Sequence, residues 1–183
     1  LLPEKNVEEL PSEDPETTDE LVVESLHVKN FLGKLENECF TQEEADLLAI
    51  YWFEGGFNSK GNRKALAKWL LLSNKQILAP AQGRFIATIA PFASDLVSTI
   101  IPYCRKNVFK GDNRIRSIRF LAELAKFKIC PPGVILRIFQ SLLDDFVPLN
   151  GELAAWLLLT CGKYMLNHPE VSETMEALVV RLM

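Results

Sequence analysis

Two histidines and four cysteines are the residues of this 183-residue chain best suited to act as nucleophiles, bases or metal ligands. They do not gather. His27 and His168 stand far apart, and Cys39, Cys104, Cys130 and Cys161 come singly, with no C-x-x-C pair. Neither a zinc site nor a disulfide framework is expected, and the cysteines read as small buried apolar groups of a reducing compartment. Cys161 lies two helical turns before His168, but Asn167-His168-Pro169 reads as a helix junction where the histidine caps or faces water. No serine sits in a G-x-S-x-G turn. Asp144 and Asp145 are adjacent, which turns their side chains apart on a helix. Gly56-Phe-Asn-Ser-Lys-Gly61 has the glycine spacing of a phosphate-binding loop. Asn62-Arg63, however, stands where Lys and Ser or Thr are required, and a helical pattern precedes it. These features point away from an enzyme and imply no metal, cofactor or small-molecule substrate.

The basic side chains are the remaining functional signal. Arg63, Lys64 and Lys68 open one helical pattern. Arg105, Lys106, Lys110, Arg114, Arg116 and Arg119 run around one connection with only Asp112 among them. One reading is a solvated loop, with Arg105 and Lys106 favourably placed at a helix C-terminus and Glu123 neutralising Arg119 and Lys126 at helical spacing. The other is a surface for RNA or for an acidic protein segment. Aromatic residues do not interleave with these charges at expected exposed positions, so base stacking is not anticipated.

Something must hold these charges in place, and a repeat shows what. Arg84-Phe-Ile-Ala-Thr-Ile-Ala-Pro-Phe92 returns as Arg119-Phe-Leu-Ala-Glu-Leu-Ala-Lys-Phe127, and more weakly as Trp156-Leu-Leu-Leu-Thr-Cys-Gly-Lys-Tyr164. Helical patterns recurring at roughly 35–37 residues predict stacked helix pairs, an α-solenoid. The expected architecture is all-α and HEAT-like, with about nine helices and no strand. Short connections make successive helices antiparallel. Helix signals begin at Asp19, and Thr41-Gln-Glu-Glu44 is a capping box. Gly55-Gly56 closes the helix that follows, and Asn62 caps the next. Pro80 sits in a first turn. Ser94 caps Asp95 to Asn107, with Pro102 inside it. Asp112 or Asn113 opens a helix through Lys128, Pro131-Pro132 opens Gly133 to Phe146, Asn150 opens Glu152 to Leu166, and Pro169 opens the last. In the helix from Arg114, Arg116, Arg119, Glu123 and Lys126 share one narrow polar stripe. Nearly all its other residues are apolar, so it must be covered on several sides. It is the expected central rung, where burying each Phe or Leu contributes roughly 1.5–3 kcal/mol.

Charge is unevenly spread behind a net value of −4. Residues 1–46 hold fourteen acids and three bases, and residues 47–183 hold ten acids and seventeen bases. Residues 1–18, with Pro3, Pro11 and Pro15, read as an acidic linker or arm. A second reading has that arm lying across the basic body, pinned by Leu1, Leu2, Val7 and Leu10. Residues 19–183 form the helical-repeat domain. Apolar runs are too short for a transmembrane helix, and the opening residues carry no signal-peptide pattern. A chain starting at Leu1 reads as an excerpt.

Four segments carry a resemblance. They are Gly61-Asn-Arg-Lys-Ala-Leu-Ala-Lys-Trp-Leu70, Gly83-Arg-Phe-Ile-Ala-Thr-Ile-Ala-Pro91, Ile115-Arg-Ser-Ile-Arg-Phe-Leu-Ala-Glu-Leu-Ala-Lys-Phe-Lys128, and Leu157-Leu-Leu-Thr-Cys-Gly-Lys-Tyr164 with His168-Pro-Glu170. Together they resemble the middle domain of the initiation factor 4G type, and more narrowly the second of three tandem domains in the up-frameshift protein 2 family. The resemblance implies a HEAT-like stack of about ten helices, of which the chain would lack the last one or two. It implies a cytoplasmic scaffold of nonsense-mediated mRNA decay that bridges an RNA helicase and other decay factors. In that family a third domain and a C-terminal tail make the known partner contacts, and neither matches here, so no partner-binding residue is carried over. Three functions follow as expectations: a non-catalytic spacer that contacts protein, an RNA-contacting module, and a helicase-activating module.

Overall fold

A computed structural model describes residues 26–37 and 39–182. The expected arm over residues 1–18 and the helix start at Asp19 lie outside the described residues. Within them the chain is helical throughout, with no strand. The helices are α1 (26–35), α2 (Gln42–Glu54), α3 (Lys60–Leu72), α4 (Ala79–Ile89), α5 (Ser94–Lys110), α6 (Arg114–Lys126), α7 (Pro132–Asp144), α8 (Pro148–Leu166) and α9 (Ser172–Leu182).

The three repeat copies fall in α4, α6 and α8. Helix α2 packs on α4, α4 on α6 and α6 on α8, which makes one continuous layer; α3 packs on α5, and α7 on α9, on the other side. Arg114 meets Asn150, and five residues on Arg119 meets Trp156. Helices α6 and α8 therefore run in the same direction, as alternate members of an antiparallel succession must. Phe85 and Phe120, equivalent in the repeat, are both fully buried, and so is Leu157, the residue at that place in the third copy.

Helix α6 is the central rung. Ile118, Phe120, Leu121, Ala122, Leu124 and Ala125 have no solvent exposure, because α4, α5 and α8 each cover one side. The small residues set the spacing. A Cβ on Gly83 of α4 would stand 3.0 Å from the Glu123 Cβ, so only glycine lets these two backbones approach as they do.

Helix ends follow local chemistry, with several departures from the expected boundaries. Thr41 and Glu44 form the capping box, each side chain taking the other's backbone amide at 3.2 Å and 2.8 Å. Helix α2 closes with Gly56 at φ +69, while the Gly56 and Phe57 amides reach back to the Phe53 and Trp52 carbonyls. Ser59, not Asn62, caps α3: its hydroxyl accepts from the Asn62 amide, and Asn62 falls inside the first turn. Helix α5 starts at Ser94 itself and runs three residues past Asn107, with Pro102 inside it. Helix α8 starts at Pro148, because Asn150 turns inward to bond Arg114 and the Asp145 carbonyl rather than capping. Pro169 lies in the turn before α9, which begins at Ser172. Cys104, Cys130 and Cys161 are buried as expected, but Cys39 is exposed.

Helix α6 stops at Lys126, two residues before the expected end. Lys128 adopts φ 62, and the Lys128 and Ile129 amides close back on the Ala125 and Leu124 carbonyls. This is the closure of α2 made with a lysine in the left-handed position that glycine fills most easily. The strain is about 1 kcal/mol, and the Lys128 side chain is exposed. Lys128→Gly should therefore stabilise the fold by about 1 kcal/mol, read as a higher urea midpoint at unchanged slope. A lower midpoint would show that the turn is not strained.

Candidate functional site

A groove of about 550 Å³ opens between α3 and α5. The two helices lie side by side in register. Arg63 in the first turn of α3 bonds Asp95 in the first turn of α5, Nε to Oδ1 at 2.8 Å, and further along Ala67, Leu71 and Leu72 face Leu96, Thr99 and Tyr103. The Arg63 guanidinium also donates to the Asn58 carbonyl at 2.7 Å, which ties the α2–α3 connection to the head of the groove. Asn58 in turn accepts from the Trp52 indole and donates to the Phe92 carbonyl. The floor is aliphatic, and its rim carries Lys60, Lys64 and Lys68, one turn apart on the exposed face of α3.

The nine basic residues singled out in the sequence divide into three groups. Arg63, Lys64 and Lys68 line this groove. Arg105, Lys106 and Lys110 are exposed on α5, outside it. Arg114, Arg116 and Arg119 are occupied inside the stack. Arg114 donates to the Val108 carbonyl at 2.6 Å and to Asn150 Oδ1 at 2.7 Å, which fastens the end of α5 to α6 and α8. Arg116 is only 4% exposed. Its guanidinium bonds Gln82 Oε1 at 2.6 Å and lies 4.4 Å from the Phe120 ring centre. Arg119 stacks 4.6 Å from the Trp156 ring centre rather than pairing with Glu123. Glu123 is instead buried and held at 2.7 Å by Lys126.

Sequence reasoning missed Lys60, which precedes the expected start of α3, and the aliphatic floor. Both depend on where α5 lies. It also missed the exposed aromatics Tyr103 and Phe109, which stand among Arg105, Lys106 and Lys110. Aromatic and basic side chains do alternate on the surface of α5.

Burial shifts several of the titrating groups. Burial pushes the Cys104, Cys130 and Cys161 thiols up to about 12, so they stay protonated and unreactive at neutral pH. Burial pushes Arg116 down to about 10. His168 packs edge-on against Tyr164 and accepts weakly from the Glu170 amide. Asp144 is an exposed ion-pair partner of Arg181 at 2.8 Å. Among the described residues no group of His, Cys, Asp or Glu could hold a metal ion.

The chain is 32% identical over 173 residues to "Regulator of nonsense transcripts UPF2" of Arabidopsis thaliana, covering 87% of the chain. It is 30% identical to "Nonsense-mediated mRNA decay protein 2" of Saccharomyces cerevisiae over 98% of the chain, and 31% identical to the Homo sapiens "Regulator of nonsense transcripts 2" over 79%. The chain is a UPF2-like middle domain. It spans 14%, 17% and 12% of the length of those three relatives. No family model matches it. The UPF2-like match extends well beyond the four resembling segments, to nearly the whole chain.

Two surface ion pairs tie neighbouring helices, one pair within each layer. Arg84 grips Asp46 with two bonds, 2.8 and 2.6 Å, between α4 and α2, and Arg63 holds Asp95. Both carboxyls are kept below their usual range, chiefly by the arginine hydrogen bond. A carboxyl depressed on folding stabilises above its unfolded pKa and loses that contribution as pH falls through the folded one. The stability margin of the natural chain over Asp46→Asn with Asp95→Asn should be full at pH 7 and shrink below about pH 4, read by urea unfolding across pH. A margin that grows on acidification would contradict these pairings.

Proposed function

We infer that the chain is a non-catalytic scaffold domain of a cytoplasmic nonsense-mediated mRNA decay factor. It spaces and orients neighbouring domains and contacts other decay proteins through its exposed helical faces. The similarity to UPF2 proteins along nearly the whole chain carries this reading. Physical support comes from the stack, in which a core running from α1 to α9 makes one stiff body. Three of the four thiols are buried and Asp144 is an exposed ion-pair partner, which fits holding rather than chemistry. An RNA helicase among the partners belongs to the same reading, reached through the full-length factor.

A second reading rests on one observation. Tyr103 and Phe109 are exposed among Arg105, Lys106 and Lys110 on α5, and stacking faces between cations are what a single-stranded RNA contact uses.

The decisive experiment replaces the domain within a full-length factor by a Gly/Ser linker of matching span and follows the half-life of a reporter mRNA with a premature stop. The scaffold reading expects the reporter to be stabilised, with partial rescue by an unrelated helical spacer of equal length. Unchanged decay would overturn it. RNA contact expects affinity to fall with salt at a log–log slope of about −0.7 per phosphate contact, and Lys106→Glu with Lys110→Glu to remove about two contacts' worth of slope.

A further inference from the structure

The α3–α5 groove has a chemistry of its own that the spacer role does not use. Helix α3 carries Lys60, Arg63, Lys64 and Lys68 and no acid. Three of these fall in its first turns, where the helix dipole makes cations unfavourable. Arg63 is compensated by Asp95, whereas Lys60, Lys64 and Lys68 are exposed and make no ion pair with any described residue. They border an apolar floor in which Leu72 is 64% and Tyr103 40% exposed. A row of unneutralised lysines, beside exposed aliphatic surface, fits a segment that is acidic and carries aliphatic side chains. RNA would supply the charge but would find Tyr103 alone among leucines where it needs a row of stacking faces.

Such a segment is present in the chain. Residues 1–25 carry nine acids against the single base Lys5, and Glu8-Glu9 is flanked by Val7 and Leu10. They join the body near the head of the groove. Phe31 of α1 packs with ring centres 5.5 Å from Phe57, which stands two residues before Ser59, the cap of α3. Residue 26 lies about five residues of helix from Phe31, roughly 8 Å. The groove is about 20 Å long, and 25 residues reach up to about 80 Å, so the tether spans it easily. An acidic tether this close raises the local concentration into the millimolar range, enough for weak contacts to hold.

We propose that the acidic segment 1–25 docks in the groove between α3 and α5, with its carboxylates on Lys60, Lys64 and Lys68 and its aliphatic residues over Leu71, Leu72 and Leu96. The groove is then self-occupied, and a partner that uses it must displace the segment. This follows from charge and shape on the chain itself and does not depend on the decay role.

The test uses the full 183-residue chain. Zero-length carbodiimide coupling, mapped by mass spectrometry, should join Glu4, Glu8, Glu9, Glu13 or Asp14 to Lys60, Lys64 and Lys68 within monomers. Yields should be several-fold above those at Lys106 and Lys163 and fall toward theirs near 0.5 M salt as screening shortens to a few ångströms. Reversing Glu8 and Glu9 to lysine should cut those yields several-fold and shift the Leu71, Leu72 and Leu96 methyl resonances. These acids lie outside the described residues, and an unchanged melting curve separates this loss from unfolding. Even coupling across all exposed lysines overturns the proposal. So do links confined to dimers, which would make the occupant a second copy. Methyl signals that ignore the reversal but move with a 12-mer of uridine would overturn it too, and would give the groove to RNA.

Discussion

Helix α6 leaves water only a narrow stripe. Its apolar residues point around nearly the whole cylinder, so it is stable only when other helices enclose it, and α4, α5 and α8 do so. That requirement fixes the layering. Alternate helices of the repeat must lie against each other, which places the Arg-Phe copies of α4 and α6 at equivalent depth with the Trp-Leu copy of α8 beyond. The close approach at Gly83 and the small Ala122 and Ala125 make the enclosure dense. Burying Glu123 is tolerable because Lys126, one turn on, neutralises it. Arg116 has no carboxylate and is held by Gln82, whose amide in turn donates to the Leu35 carbonyl. One polar chain thus runs from α6 through α4 to α1 inside an apolar core. A polar group so placed, with its partners on two other helices, stabilises one relative position of the three and disfavours others.

The same repeat position does different work in successive copies. Arg84 reaches back to Asp46 on α2, Arg119 reaches forward to the Trp156 ring on α8, and Trp156 itself stands at the equivalent place in the third copy. Each contact bridges neighbouring rungs of one layer. Substituting a carboxylate partner by an aromatic one keeps the bridge, since a guanidinium binds both. The result is a stack of rungs tied to their neighbours, with grooves and aromatic-basic surface left on the outside.

The repeat, the capping box, the double-glycine stop and the central place of the Arg114 helix were legible in the sequence because each is a local pattern. The arginines were not. A helical wheel puts Arg116, Arg119, Glu123 and Lys126 on one stripe, but whether that stripe meets water depends on Gln82 and Trp156, each more than thirty residues away in sequence. Asn150 reads as a cap for the same reason: its inward turn is set by Arg114 on another helix. The groove is a surface shared by α3 and α5, and Lys60 joins it only because Ser59, rather than Asn62, starts the helix. Local choices between two good caps are decided by the preceding turn, where the Phe57 amide returns to the Trp52 carbonyl and sets where α3 begins.

Native-state hydrogen exchange measures the central claim most directly. If enclosure of α6 organises the stack, amides from Ile118 to Ala125 exchange last, at the free energy of global unfolding, while those of α9 and the α2–α3 connection open earlier. Exchange in α6 as fast as in α9 would contradict the account, because a helix that opens that readily cannot be the rung on which the others depend.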